Sequence, residues 1–217
     1  EYGIPQKRQR YILVGTKKDN AENFFDLLVQ NKVTFFKSKN FEKDTVSLSD
    51  AISDLLQSHG TKESPDTKNF RAGIYAKATT SYQKLMRKDK NLTKKIASSH
   101  RFANHKKETI EKFQYILEFG RANKNISDEI KAKYNIKKRT VVPLCSKSPT
   151  PTLTTLPDDY IHYCEPRILT VREYARIQSF PDSYEFKGGY TTGGDRRKTD
   201  VPRYTQIGNA IPPLFAE

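Results

Sequence analysis

The sequence contains few residues of several types, and each shortage excludes a class of protein. Its 217 residues include two cysteines, one methionine and no tryptophan. Two thiols, Cys145 and Cys164, cannot form the disulfide framework of a small secreted domain, which favours a reducing compartment. No apolar run is long enough to cross a membrane, and the first residues do not form a signal peptide. The sequence therefore predicts a soluble, cytoplasmic protein without a membrane partner.

Acidic residues are also scarce relative to basic ones. The chain carries 39 lysines and arginines against 25 aspartates and glutamates, a net charge of +14. So large an excess indicates a polyanionic partner, nucleic acid first and an anionic membrane surface second. A basic RNA-binding or ribosome-associated protein would share this charge, but no RNA-recognition signature is present.

The two ends of the chain have the character of interrupted elements. Residues 11–15 (Tyr-Ile-Leu-Val-Gly) are apolar and β-branched, typical of a buried strand, yet no earlier segment could pair with them. Residues 211–217 resemble the first turn of a helix, with prolines where a helix tolerates them. We therefore expect a fragment of a longer protein.

Local signals predict several helices between these ends. Ser47 and Asp50 can cap a helix whose apolar stripe contains Leu48, Ile52 and Leu55. Further helices are predicted around Tyr82 to Met86, from Glu108 to Phe119 with Gly120 ending it, and from Ser127 toward Tyr134. The stretch 59–80 has a loop-like composition in which Phe70, Ile74 and Tyr75 could form a short strand, and residues 139–163 suit strands and turns.

The last third of the sequence has the clearest pattern. Thr170 and Glu173 form a capping box for a helix that Pro181 is expected to end, and Val171, Tyr174, Ala175 and Gln178 would share its packing face. A glycine-rich, charged loop follows over residues 188–198, and we expect it to be mobile.

Three separated segments, in this order, resemble conserved blocks of the DNA cytosine-5 methyltransferases. Residues 3–15 contain Gln6, Arg8 and Arg10 in a Gln-x-Arg-x-Arg pattern and resemble motif VIII. Residues 167–182 resemble motif IX, and residues 206–212 (Gln-Ile-Gly-Asn-Ala-Ile-Pro) resemble motif X. The resemblance covers the whole chain, strongly at both ends and by position in the middle.

The resemblance implies a fold class and a domain organisation. We expect an α/β protein: a target-recognition domain of mixed helices and irregular strands, with carboxy-terminal pieces of a Rossmann-like methyltransferase domain. Residues 1–40 would form the motif VIII strand region of the catalytic domain, 41–165 the target-recognition domain, and 166–217 the return to the catalytic domain.

The resemblance also implies roles for individual residues. Enzymes of this family flip the target cytosine out of the duplex, and an arginine fork suits the polar edge of a flipped base. Arg10 would contact the cytosine O2, with Arg8 and Gln6 shaping the pocket. The cofactor would be S-adenosylmethionine, beside Gly208, Asn209 and Ala210. Many relatives carry serine where Ala210 stands, so a side-chain contact from that position is not expected.

DNA contacts are predicted within the recognition region. Thr152-Leu153 resembles the threonine-leucine pair that lies before motif IX, and its spacing suits better than that of Thr155-Leu156; a threonine hydroxyl can donate to a phosphate. Arginine side chains suit base edges in the major groove. The candidate base-reading residues are therefore Arg71, Arg87 and Arg101. The motif IX arginines, Arg167, Arg172 and Arg176, are expected to support the recognition domain and to take no part in chemistry.

The catalytic blocks of the family are absent from this sequence. Cys145 follows leucine and Cys164 follows tyrosine, so neither lies in a Pro-Cys nucleophile block, and both are expected to be ordinary buried or half-buried thiols. The Glu-Asn block and the early glycine-rich cofactor loop are missing too. A zinc site from Cys145, His162 and Cys164 lacks any Cys-x-x-Cys spacing, and no metal is expected.

These absences predict that the chain alone does not methylate DNA. Its expected partners are double-stranded DNA, the amino-terminal catalytic part of the same enzyme or a split subunit, and a cognate restriction endonuclease in a bacterial restriction-modification system. The alternative is a non-catalytic module that binds a specific DNA sequence.

Overall fold

The structure, a computed structural model, describes residues 2–17, 22–41, 45–88, 95–191 and 199–217. Its α-helices are α1 (Glu22–Gln30), α2 (Lys32–Ser38), α3 (Leu48–Ile52), α4 (Ser81–Met86), α5 (Lys107–Phe119), α6 (Asp128–Lys133), α7 (Val171–Ile177), α8 (Arg203–Asn209) and α9 (Pro213–Ala216). The strands are β1 (Thr61–Glu63), β2 (Arg71–Ile74), β3 (Ile96–Arg101), β4 (Val142–Pro143) and β5 (Tyr160–Ile161). Among the described residues, none of the helices has both the length and the apolar character that crossing a membrane requires.

The predicted helix starts are confirmed. Ser47 and Thr170 each accept a hydrogen bond from the backbone N–H three residues later, and the side chains of Asp50 and Glu173 return the bond, so both capping boxes are complete. Ser127 caps α6, and α5 ends with Gly120 as its C-cap, as expected. Helix α3 ends at Ile52 and continues as a short 3-10 turn that still buries Leu55.

Helix α7 ends earlier than its sequence predicts. It stops at Ile177, and Ser179 adopts a left-handed conformation with φ of 59°. The N–H of Phe180 then donates to the Ala175 carbonyl over 2.9 Å, a Schellman-type ending that satisfies the last turn before Pro181 is reached. The residues expected to share a packing face are buried, and so is the rest of α7.

Strands β1, β2 and β3 form an antiparallel sheet in that order. The predicted short strand near Phe70 corresponds to β2, while β1 and β3 gave no clear sequence signal. The pairing of β2 with β3 shifts register between Ala72 and Ile74, and Ser99 within β3 has φ of 62°. A β-bulge therefore interrupts β3, and such an irregularity re-aims the side chains that follow it.

The strand expected at residues 11–15 does not form within this chain, and the strand that partners from elsewhere would complete stays a prediction. These residues have no regular structure, and Tyr11 and Leu13 are 95% and 88% exposed. A strand is stabilised by a neighbouring ladder, and the described residues supply none beside this segment. The glycine-rich loop was expected to be mobile; residues 192–198 of it lie outside the described part of the chain.

Helix α7 lies at the centre of the main core, where Val171, Tyr174, Ala175 and Ile177 are fully buried. A second, smaller core forms where α5 and α6 pack together around Phe113, Ile116 and Ile130. The two cores surround the motif IX segment, which thereby fixes the recognition region relative to the carboxy-terminal helices.

Buried arginines of the motif IX segment join it to the rest of the fold. The Arg176 guanidinium donates to Asp182 over 2.6 and 2.8 Å and to both oxygens of Asp54 over 3.2 Å. Arg172 donates to the Ser98 carbonyl in β3 over 2.8 Å. These bonds support the expectation that the arginines hold the recognition region in place.

Arg167 forms a second buried network. It bonds both oxygens of Glu173 over 2.7 and 2.8 Å. Burial alone would raise the pKa of Glu173, but the charge and hydrogen bonds of Arg167 lower it to about 2. His100 completes the network, with Nδ1 2.8 Å from the Thr170 hydroxyl and Nε2 2.9 Å from the Leu55 carbonyl. Because a carbonyl only accepts, Nε2 carries the proton and Nδ1 accepts from Thr170.

Candidate functional site: a junction of three sequence segments

The motif VIII segment lies against the end of the recognition region. Gln6 forms a parallel bridge with Thr150, and the N–H of Lys7 donates to the Thr150 carbonyl over 2.8 Å. The N–H of Thr150 returns a bond to the Pro5 carbonyl over 3.0 Å, and the Thr152 hydroxyl donates to the Lys7 carbonyl over 3.0 Å. Three hydrogen bonds thus fix residues 5–7 beside residues 150–152.

Arg8 extends this junction to the motif X segment. Its Nη1 donates to the Gly208 carbonyl at the end of α8 over 2.8 Å. Partial burial and the nearby charge of Arg10 lower the pKa of the Arg8 guanidinium. On the other side Gly208 packs against the backbone of Thr154, where a Cβ would lie 2.7 Å from the carbonyl oxygen. Glycine is therefore needed at this crossing for steric reasons.

The motif IX segment closes the junction from within. Gln178 Nε2 donates to the Ile207 carbonyl over 3.3 Å, and the Tyr204 hydroxyl donates to the Leu169 carbonyl over 2.7 Å. The N–H of Leu214 donates to the Ser179 hydroxyl over 3.1 Å. All three segments singled out in the sequence therefore meet in one region.

The side chains of the Gln-x-Arg-x-Arg pattern have three different environments. Gln6 is 4% exposed, and neither its amide oxygen nor its amide nitrogen has a hydrogen-bond partner among the described residues. Arg8 is half-buried, and Arg10 is exposed. A buried amide without partners costs about 1 to 3 kcal/mol, so Gln6 is a place where a further polar group would be stabilised.

Comparison with known proteins agrees with this geometry. Over residues 1–217 the chain matches the family described as C-5 cytosine-specific DNA methylase. This chain belongs to that family. It is 31% identical to the type II methyltransferase M.DdeI of Desulfomicrobium norvegicum, over all of this chain and 50% of that relative. It is 35% identical to the type II methyltransferase M.AquIB of Picosynechococcus, over 55% of this chain and 81% of that relative.

A solved structure shares the fold. It is described as a DNA modification methyltransferase encoded within a prophage of E. coli, with a TM-score of 0.60 and 22% identity over all of this chain and 54% of that one. This likeness confirms the predicted mixed α/β class. The chain spans about half the length of M.DdeI and of the solved structure.

The cofactor residues expected from the cytosine methylase family lie at the edge of the junction. Asn209 is exposed at the last position of α8, Ala210 is half-buried after it, and Gly208 is buried between Arg8 and Thr154. The backbone here is fixed from two sides, while the Asn209 amide faces outward. An exposed amide on a fixed backbone suits a polar cofactor that other residues enclose.

The expected contact of the threonine-leucine pair with DNA stays a prediction, and within this chain the pair has another role. The Thr152 hydroxyl donates its one hydrogen bond to the Lys7 carbonyl, and Leu153 is 1% exposed. A hydroxyl whose proton is used cannot also donate to a phosphate. In this structure the pair therefore ties the recognition region to the motif VIII segment, whereas Leu156 of the alternative pair is 51% exposed.

The three candidate base-reading arginines differ in how their guanidinium groups are used. Arg87 donates to Asp54 over 3.2 Å and to the Ala76 carbonyl over 2.7 Å, so it serves the fold. Arg71, exposed at the first position of β2, donates to Thr61. Arg101 lies between two aromatic rings. The structure does not bring the three together at one surface point.

The thiols and the metal alternative have ordinary explanations. Cys145 is half-buried, but Cys164 is exposed, so the expectation of burial is wrong for Cys164. The Nδ1 atom of His162 accepts from the backbone N–H groups of Cys164 and Glu165. Within the described ranges, the histidines, cysteines and acidic residues form no group of three that could hold a metal.

Sequence reasoning missed several residues of the junction. Thr150, Thr154, Gln178 and Tyr204 connect the segments, yet each does so through backbone groups of distant residues. Such contacts leave no periodicity or spacing in the sequence. The one available signal was the position of Gln178 within motif IX, where it was expected only to pack.

Proposed function

We propose that this chain is the part of a DNA (cytosine-5) methyltransferase that recognises the DNA target. The intact enzyme would transfer a methyl group from S-adenosylmethionine to C5 of a cytosine flipped out of a specific sequence. The observation that carries this proposal is the junction, where Arg8 links motif VIII to Gly208 of motif X while the end of the recognition region packs on both. The recognition region is fixed directly to the residues proposed for the base and for the cofactor. This arrangement is expected when all three act in the same enzyme.

Arg10 is the residue we assign to the flipped base. It follows two anchored residues, Gln6 and Arg8, and its own side chain is exposed. A guanidinium is always charged and donates in a fixed plane, so it can hold the cytosine O2 and stabilise charge as the ring is attacked. Gln6 and Arg8 would position it, Gln6 by offering its unpartnered amide to the wall of the pocket.

The cofactor would be held only at one edge by this chain. S-adenosylmethionine supplies the methyl group when bound. Asn209 would offer its exposed amide, Gly208 would keep the backbone close, and Ala210 would line the edge. The remaining contacts, and the nucleophilic cysteine, would come from the catalytic part of the enzyme, because Cys145 and Cys164 lie in no Pro-Cys sequence.

An interaction of this chain with that catalytic part is supported by exposed apolar side chains in two described segments, residues 11–17 and 22–33. Tyr11, Leu13, Val29 and Val33 are between 61% and 95% exposed. Large contiguous apolar surface is rare on an unpartnered protein. We propose that the catalytic part covers it and that residues 11–15 pair there as a strand.

The DNA contact of the chain alone tests the recognition role. The +14 charge predicts weak binding to mixed-sequence duplex DNA, with an affinity that falls about 10³-fold or more between roughly 50 and 200 mM salt if six or more phosphates are contacted. Fluorescence anisotropy with a labelled duplex measures this slope, with single-stranded RNA as the competitor. Affinity that does not change with salt, or a preference for RNA, would contradict the proposal.

The second candidate is a non-catalytic DNA-binding module, favoured by the lack of a Pro-Cys pair in the given sequence. Both candidates predict DNA binding. Only the first predicts methyl transfer once the catalytic part is supplied, so that measurement separates them.

A further inference from the structure

One arginine of the recognition region is held in an unusual way. The Arg101 guanidinium lies 3.9 Å from the ring centre of Phe70 and 3.9 Å from that of Tyr190. Cation–π contacts on two rings fix the plane of the group as well as its position. A flexible arginine on a surface has neither constraint.

The guanidinium has none of the usual polar partners. Among the described residues it makes no hydrogen bond or ion pair, and its Nε is buried without a partner. Arg71, Arg87 and Arg203 each bond to an oxygen within the chain. Since the Nε edge is buried, the two Nη nitrogens form the edge that remains for a ligand.

The β-bulge explains why Arg101 leaves the core. Ser99 and His100 are consecutive, yet both are buried, which breaks the alternation of a regular strand. Alternation resumes one residue out of phase, so Arg101 falls on the face of Ser98. Ser98 lines an open cleft of about 610 Å³.

The aromatic partner Tyr190 is itself fixed. Its hydroxyl donates to Asp66 over 2.9 Å, and Arg203 donates to the same carboxylate over 2.6 Å. Asp66 and Arg203 also line the cleft, together with Lys62, Lys95 and Lys187. The stack therefore borders a basic opening in which lysine side chains can meet phosphates.

We propose that Arg101 reads a guanine of the recognised sequence, donating from its two Nη nitrogens to O6 and N7 in the major groove. The inference rests on the proposed function and names one determinant of its specificity. Lysine suffices as a point charge for a phosphate, whereas base reading needs a planar fork in fixed orientation, and the Phe70 and Tyr190 rings provide that orientation.

The test uses the chain together with the catalytic part of the enzyme. Wild type and Arg101→Met are each given a duplex library of randomised sequence, and the methylated products are sequenced. We expect the variant to lose at least about tenfold of its preference for guanine at one position and to keep its preferences elsewhere. Arg121→Met, the same change at an exposed arginine after α5, should leave every preference unchanged.

A base analogue repeats the test without any mutation. Replacing guanines of the site singly with 7-deazaguanine removes N7, and one replacement should weaken methylation by wild type but not by Arg101→Met. Loss of activity spread evenly over all sequences would indicate a phosphate contact and overturn the inference. An unchanged pattern of preferences in Arg101→Met would overturn it too. A wild-type complex that methylates nothing would instead overturn the proposed function, and this inference with it.

Discussion

The Arg8 guanidinium donates to the Gly208 carbonyl over 2.8 Å, joining two segments that are 200 residues apart in the sequence. One segment is assigned to the flipped base and the other to the cofactor. A single hydrogen bond therefore connects the two binding functions that the proposal assigns to the ends of this chain, and it crosses beside the recognition region. The predictions below follow from this arrangement.

Arg8 and Arg10 are predicted to act differently although they are two residues apart. Arg8→Met removes a charged donor from a buried carbonyl and should lower the free energy of unfolding by about 1 to 3 kcal/mol. Arg10→Met removes an exposed side chain and should change the stability by no more than about 0.5 kcal/mol. Chemical denaturation of the two variants measures both values.

The same pair should show the reverse order in catalysis. In the intact enzyme, Arg10→Met is expected to lower methyl transfer by about 10² or more, as for loss of a donor to developing charge, while DNA affinity changes much less. Equal losses in binding and methyl transfer would place Arg10 on the DNA backbone and remove it from the base pocket.

Gly208 is predicted to tolerate no side chain. A Cβ there would lie 2.7 Å from the Thr154 carbonyl oxygen, so Gly208→Ala should cost about 1 to 3 kcal/mol. The matched control is Gly189→Ala, where the added Cβ would lie 3.4 Å from the Thr191 carbonyl oxygen, an ordinary contact distance. Thermal unfolding of the two variants makes the comparison, and equal melting temperatures would show that the crossing is looser than described.

The buried arginine of α7 should be essential for folding. Arg176→Met leaves Asp54 and Asp182 buried without their main partner, and breaking such a pair costs about 3 to 5 kcal/mol. The exposed pair of Lys107 and Glu111 is the control, because Lys107→Ala should cost less than about 0.5 kcal/mol. Denaturant unfolding of both variants measures the loss in the free energy of unfolding. Equal losses in the two variants would contradict this account.

Acid should unfold the chain through two buried histidines. Burial lowers the pKa of His100 to about 4 and that of His162 to about 3, from an ordinary value of 6.5. At pH values between the lowered pKa and 6.5, the unfolded chain binds more protons than the folded chain. The contribution of the neutral histidines to the free energy of unfolding is therefore fully present above pH 6.5 and falls as the pH decreases. The expected slope is roughly 2 to 3 kcal/mol per pH unit between about pH 6 and pH 4.

A pair of histidine variants checks this slope. Denaturant unfolding at a series of pH values should give about half the slope for His100→Gln. His162→Gln should reduce the slope by a similar amount, because burial lowers the pKa of that imidazole too. A wild-type stability that is constant between pH 6 and pH 4 would rule out the buried neutral histidines.

Local sequence signals account for the elements that were predicted correctly. The capping boxes at Ser47 and Thr170 lie within four residues, so the sequence alone is sufficient to find them. The segment 11–15 has the composition of a strand, but a ladder needs a neighbour, and composition cannot supply one. The end of α7 depended on the left-handed Ser179, which no residue preference indicates.

The sequence predicted which segments form the candidate site, but it did not predict the contacts between them. The resemblance singled out Gln6, Arg8, Arg10 and Gly208, but the bonds that join them pass through Thr150 and through carbonyl groups. Likewise Arg71, Arg87 and Arg101 could not be distinguished in the sequence, because their difference lies in their neighbours. Only the fold brings Phe70 and Tyr190 to Arg101.

The most direct test of the central claim is methyl transfer from radiolabelled S-adenosylmethionine to mixed-sequence duplex DNA. Three samples are compared: this chain, the amino-terminal catalytic part from the same source, and both together, with the product nucleoside identified by chromatography. The account predicts 5-methylcytosine only in the mixture and only within one short sequence. Binding of DNA by this chain with no methylation in the mixture would contradict it and favour the non-catalytic module.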